Sequence, residues 1–294
     1  MVMRLLKWLL IIVFLLVVAG LVAIWQVGAW NLVFPNRSHD VVPPALPGEL
    51  ASPRILAFSK TNGFRHGEGI EAGALLLQHL AGKHGWGLFH TENGAVFNDL
   101  DLARFDAVVF LNASGDMLSA EQEGHFQAWL EAGGGWLGIH AAGDDSHKDW
   151  RWYRDNLVGA DFTAHIMGPQ FQVATVYLEN QEHPVLRGVP DIWQHEEEWY
   201  SWAKSPRAEG FLILATIDED SYTPVQKMFG SERDLRMGDH PVVWSNCIGN
   251  GRSVYVTMGH AAEAYSQPQV QKIIENSLLW LAGPADEWCP RIPE

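Results

Sequence analysis

The chain has 294 residues, 47% of them hydrophobic, and a formal net charge of −15 at pH 7. That apolar share supports one large buried core or two small ones and excludes a disordered chain. With no basic cluster beyond the leader, the charge excludes nucleic-acid binding, which rests on neutralising phosphates, and suits a neutral or weakly polar ligand.

Residues 1–30, MVMRLLKWLLIIVFLLVVAGLVAIWQVGAW, carry Arg4 and Lys7 and then an uncharged apolar run from Trp8 to Val27. At about 1.5 Å per residue, some twenty residues cross a hydrocarbon core of about 30 Å. The run exceeds the apolar region of about 7–15 residues in a cleaved signal, so it is read as a single-span anchor. The basic leader places the N-terminus in the cytoplasm and the rest of the chain on the periplasmic or extracellular side. Val27-Gly28-Ala29 offers the alternative of cleavage after Ala29 and secretion. Residues 31–53 are proline-rich and unpatterned, the composition of a semi-extended tether.

The soluble part opens with a strand at Ile55–Phe58, a polar turn ending at His66, and helical spacing of apolar residues over Glu68–Lys83. Strands follow at Trp86–His90 and Asp106–Ala113, the latter leading to Ser114. Ser119 and Gln122 form a capping-box pair for a helix ending near Ala132. Trp136–Ile139 is the fourth strand, and His140 stands at the turn after it. Apolar runs alternating with helices predict an open, doubly wound, mostly parallel α/β sheet. The middle, residues 150–217, is less regular, with strands at Phe171–Leu178 and Phe211–Ile217 and insertions around the mouth of a site. Asn250-Gly251 marks a hairpin turn before a strand at Val254–Met258, and Gln269–Leu281 is the closing helix, followed by a tail over 284–294. Cys247 reads as a small core residue and Cys289 as part of an exposed tail, with their pairing left open.

In open parallel sheets ligands bind beyond the carboxyl ends of the strands. Residues 59–66, Asn112, Ser114, His140 and His260 all stand there. Neither Ser59 nor Ser114 lies in GxSxG, and Gly133–Gly135 is not followed by a phosphate-binding motif, so serine-hydrolase and P-loop chemistry are set aside. The abundant tryptophans near the mouth suit sugar stacking or rim packing, and Asp144, Asp145 and His147 after the turn are pocket-lining candidates.

TNGFRH (61–66), GGGWLGIHAA (133–142), HEEEWY (195–200) and GRSVYVTMGHAAEAY (251–265) occur in an order and spacing that resemble the ThuA-like family, named for a trehalose-utilisation protein. The resemblance covers residues 54–283 and implies a flavodoxin-like fold similar to class I glutamine amidotransferases, with a role in uptake or breakdown of sugars. In an amidotransferase the turn after the fourth strand holds a cysteine that forms a thioester. His140 cannot do this and neither cysteine stands at such a turn, so glutamine hydrolysis is excluded.

His66, His140 and His260 together suit a divalent metal such as zinc, with Glu198 or Glu263 as oxygen ligand or base. Without metal, His140, His260, Glu198 and Glu263 suit acid–base chemistry on a sugar or glycoside, as a lyase, isomerase or hydrolase. Glu198 is singled out of the charge run 196–198 by Trp199-Tyr200 and the resemblance, and Glu198 with Glu263 is the available carboxylate pair for a glycosidase. Substrate-binding roles fall to His66, Asn112, His165 and Trp199. The alternative is a non-catalytic carbohydrate-binding or accessory protein of the cell envelope, or an interaction module held by the anchor.

Overall fold

In the computed structural model, which describes residues 2–147, 149–228 and 230–290, the apolar helix α1 (Val2–Gln26) stands clear of the remainder, its most hydrophobic window 0% buried. It is long and apolar enough to be a membrane span or a signal sequence. One further turn, α2 (Trp30–Val33), precedes an extended stretch that is laid along the domain and held there. Asp40 accepts from Lys60 Nζ at 2.6 Å and from the Gly94 amide at 2.9 Å, and Asn93 donates to the Val42 carbonyl at 3.0 Å. The proline-rich segment is therefore extended, but it is strapped down by polar contacts its composition does not advertise.

The α/β part runs β1 (Arg54–Phe58), α3 (Gly67–His84), β2 (Gly87–Thr91), α4 (Asp99–Leu102), β3 (Ala107–Leu111), α5 (Ala120–Glu131) and β4 (Gly135–Ile139). It continues through α6 (Arg151–Tyr153), β5 (Phe162–His165), β6 (Gln172–Leu178), β7 (Ile192–Glu197), β8 (Tyr200–Trp202) and β9 (Leu212–Ile217). Then come β10 (Val225–Met228), β11 (Ser231–Asp234), β12 (Pro241–Ile248), β13 (Gly251–Val256), α7 (Ala262–Ser266) and α8 (Pro268–Leu281). The expected elements lie within a residue or two of these bounds, the ordinary uncertainty of element ends, except the last strand, expected at Val254–Met258, which starts three residues earlier at Gly251. The capping box forms: Ser119 Oγ accepts from the Gln122 amide while Gln122 Oε1 accepts from the Ser119 amide.

A nine-stranded sheet has the order β2-β1-β3-β4-β13-β12-β9-β6-β7. Its first five strands are parallel, in the flavodoxin-like arrangement, and its last four pair antiparallel. In the parallel half both faces are buried. Ile55 and Ala57 pack with Leu77 of α3 and Ile274 of α8, while Leu56 and Phe58 pack with Phe126 of α5 and Trp136 on the other face. The irregular middle thus does more than surround the mouth: it extends the same sheet. In its outer strands β6 and β7 burial alternates, with Ala174 and Val176 buried and Val173 and Tyr177 exposed, because one face meets solvent.

Two local expectations are corrected. The hairpin turn is Gly249-Asn250, one residue earlier than expected, since Ile248 pairs with Gly251 and Gly249 takes φ +59°. Gly251 belongs to the strand, where a Cβ would lie 1.9 Å from the Leu130 carbonyl oxygen. Cys247 is exposed on β12 and Cys289 is buried, the reverse of the reading from sequence, and the two are joined by a disulfide. β12 alternates sides, which turns Cys247 outward, and the tail folds back over it. Of that tail, residues 291–294 lie outside the described residues.

Candidate metal centre

The carboxyl ends of β1, β3, β4 and β13 meet at one edge of the sheet, and the loops leaving them are fastened to one another. The amides of Asn62 and Gly63 donate to the Ser114 carbonyl at 2.7 and 3.1 Å. Gly115 lies opposite at φ +82°, where a Cβ would sit 2.2 Å from the Gly63 nitrogen. Only glycine permits that approach. It brings the loop carrying His66 against those carrying His140 and His260.

His140 occupies the left-handed region, φ +47°, as does Asn112 at +50°. For a non-glycine residue this conformation persists only where the surroundings enforce it. Here the Tyr255 hydroxyl donates to the His140 carbonyl at 2.6 Å, and Asn112 Oδ1 accepts from the Ala141 amide at 3.2 Å. Asn112 also donates to the Gly259 carbonyl at 3.0 Å, and Glu197 accepts the Gly259 amide at 2.7 Å. Fully buried, Asn112, expected to bind substrate, braces the two histidine loops.

His140 Nδ1 lies 2.7 Å from the Thr257 carbonyl. A carbonyl only accepts, so Nδ1 carries the hydrogen, which selects the tautomer with its lone pair at Nε2. That lone pair points into the cluster, 2.9 Å from the Tyr200 hydroxyl and 3.1 Å from His260 Nδ1. Glu198 collects the other contacts: His260 Nδ1 at 3.0 Å on Oε2, His165 Nδ1 at 2.9 Å and Gln170 Nε2 at 2.5 Å on Oε1. One donor atom from each of His66, His140, Glu198 and His260 lies within 4.8 Å of the others. His66 Nδ1 is buried without a hydrogen-bond partner.

Electrostatics follow from the packing. Burial lowers the His66 pKa well below its usual value, and His140 and His260 reinforce this, so the ring is neutral near pH 7. Burial would raise the carboxyl of Glu198, but the surrounding imidazoles outweigh it and hold the group far below the usual range. For His165, burial opposes the charged ring, yet the bond to Glu198 wins and its pKa is raised. A buried anion is thus compensated by donors on three sides.

The remaining sequence-derived residues stand elsewhere. Glu263 is exposed in the first turn of α7 and lines the mouth of a cavity of about 670 Å³ that reaches His66 and His260. Trp199, expected to bind substrate, is 2% exposed, belongs to the core, and donates its indole N–H to the Gln172 carbonyl at 2.8 Å. Of the charge run, Glu196 is exposed whereas Glu197 and Glu198 are buried. Sequence reasoning did not single out Tyr200, Gln170, Tyr255 or the Thr257 carbonyl. Tyr200 lies in the quoted HEEEWY, two residues from Glu198, and its pairing with His165 across β8 and β5 is what aims it at His140.

Asp144, Asp145 and His147 line a separate cavity of about 250 Å³. Burial lowers the His147 pKa to about 4, and its Nε2–H donates to the Ala113 carbonyl at 3.0 Å. A folded-state value below the ordinary 6.5 means that stability from the neutral ring is complete above pH 6.5 and is lost as pH falls towards 4. In pH-dependent thermal unfolding, His147→Gln, which keeps a donor but does not titrate, is expected to remove roughly 3 kcal/mol of that acid-side loss.

The family model described as trehalose utilisation, ThuA, matches residues 54–281. A solved ThuA-like protein from Bacteroides uniformis superposes with a TM-score of 0.67 at 24% identity, covering 84% of this chain and 98% of that one. Another, from Parabacteroides merdae, gives 0.59 at 18% identity, covering 81% and 94%. No curated protein matches the sequence.

Proposed function

The chain belongs to the ThuA family, and from that premise we propose that it is an enzyme which holds a divalent metal, zinc by its donor set, and acts on a sugar or glycoside derivative outside the cytoplasm. One observation carries the proposal: three imidazoles and a carboxylate converge within 4.8 Å, with one buried nitrogen left unpartnered. The residues fit such an ion. Neutral imidazole and carboxylate are the ligands zinc prefers, and the backbone carbonyl on His140 Nδ1 is the outer partner that aims a ligating lone pair. When bound, the ion supplies Lewis-acid polarisation of a substrate oxygen.

The residues around it supply the rest. The Tyr200 hydroxyl stands 2.9 Å from His140 Nε2; an ion on that lone pair would free the hydroxyl to donate to a substrate oxygen. His165, whose Nδ1 is held by Glu198 at 2.9 Å, would exchange a proton with a substrate oxygen through its other ring nitrogen. The description of the family supports a carbohydrate substrate, and α1 with the disulfide supports an anchored protein facing an oxidising compartment.

A second reading, acid–base chemistry without metal, is favoured by the hydrogen bonds that already satisfy Glu198. Elemental analysis of the full chain, before and after chelation and in His140→Ala, separates the two. Near-stoichiometric zinc that is lost in the variant supports the metal centre. Metal-free, folded protein discards it.

A further inference from the structure

The wall of the large cavity includes Gln26 and Val27, the end of the apolar helix. This contact is built. The Arg65 amide donates to the Gly28 carbonyl at 2.9 Å, and Asn31 donates to the Thr61 carbonyl at 2.8 Å, both on the loop that carries His66. Gly28 has φ +79°, and a Cβ there would lie 2.1 Å from the Arg65 carbonyl oxygen, so the approach requires glycine. The helix end is thus joined to the lip of the site.

If α1 spans a bilayer, a pocket that uses its last residues opens at the headgroup level. The surface beside the mouth agrees. Phe171, 5.0 Å from the His260 ring, and Met167 on the same loop are 37% and 52% exposed, and Trp25 and Trp30 flank the helix end. Exposed aromatic and apolar side chains of this kind are at home in the interface. The mouth is also acidic: Glu68, Glu196 and Glu263 line it, while Arg65 is paired with Glu92 at 2.8 Å. Such a rim repels phosphate-bearing headgroups.

We infer that the site takes its substrate from the membrane, as an amphiphile whose neutral glycosyl headgroup enters the histidine cluster while its apolar part stays in the bilayer. This rests on the proposed sugar-directed role and on α1 being retained.

The test uses the full chain in phosphatidylcholine nanodiscs, with a nitroxide on Met167→Cys, on the loop whose Phe171 lines the cavity, or, as control, on Gly82→Cys at the end of α3. Gly82 has nothing within 4 Å of its would-be Cβ, and Cys247 and Cys289 are disulfide-bonded. The Met167 label is expected to favour collision with dissolved oxygen over a nickel chelate, and the Gly82 label the reverse. A glucosyl diacylglycerol in the disc should change the Met167 spectrum at a bulk concentration about tenfold below that of methyl glucoside, and Gly28→Ala should reduce the response. Equal water accessibility of the two labels, cleavage after Ala29, an equal effect of methyl glucoside, or the same effect from phosphatidylglycerol each overturns the inference. Zinc measured on the same discs tests the metal reading separately, since its absence leaves the label results intact.

Discussion

Glu198→Ala is expected to empty the centre of zinc, with affinity falling about a hundredfold or more, while the protein stays folded. A supporting group around a metal ligand is typically worth 10–100-fold in affinity, and Glu198 is placed to be both ligand and support. Its two oxygens receive His260 at 3.0 Å, His165 at 2.9 Å and Gln170 at 2.5 Å. Alanine removes the only carboxylate of the cluster and leaves those donors without an acceptor. The raised pKa of His165 should fall in the same variant, because burial is then opposed only by the bond to the Ile166 carbonyl. Zinc titration with a competing chelator and NMR titration of the His165 ring read the two effects independently. Unchanged zinc affinity would place the metal, if any, away from this cluster.

A loss of about 3–5 kcal/mol is expected from Tyr255→Ala. The ring is 1% exposed, with Trp244 at 4.7 Å and Trp136 at 6.5 Å between centroids, and Gly143 approaches so closely that a Cβ would meet its hydroxyl at 2.4 Å. Tyr255→Phe keeps the packing and deletes one hydrogen bond to the His140 carbonyl, an effect of about 1 kcal/mol on urea unfolding. Because that bond helps hold His140 in the left-handed region, zinc affinity should drop in Tyr255→Phe by more than its stability loss implies. Stability and affinity falling in step would mean that the bond braces the core and not the turn.

The order of strands and helices, the capping of α5 and the gathering of His66, His140 and His260 at one edge were legible in the residues themselves. Local periodicity defines the elements, and the rule that parallel strands open their carboxyl ends to ligands converts positions along the chain into positions in space. Which carboxylate joins them was not legible. Glu198 and Glu263 are equivalent by composition and by distance from the motifs. Only the antiparallel extension of the sheet, whose β7 ends at Glu197, buries Glu198 beneath Gln170 and His165, while α7 leaves Glu263 at the lip. Trp199 carries the same ambiguity: a tryptophan beside a site reads alike whether it faces ligand or core, and the turn between β7 and β8 puts it in the core.

The sequence by itself determined the fold class, the apolar N-terminal helix and the histidine set, because each depends on local pattern or on the ends of strands. Tertiary structure alone decided the partner of Cys247, the role of Tyr200, the choice of Glu198 and the seating of the helix end on the lip of the pocket. Those depend on contacts between segments far apart in the chain, formed by the packing of the whole domain and encoded in no single stretch of it.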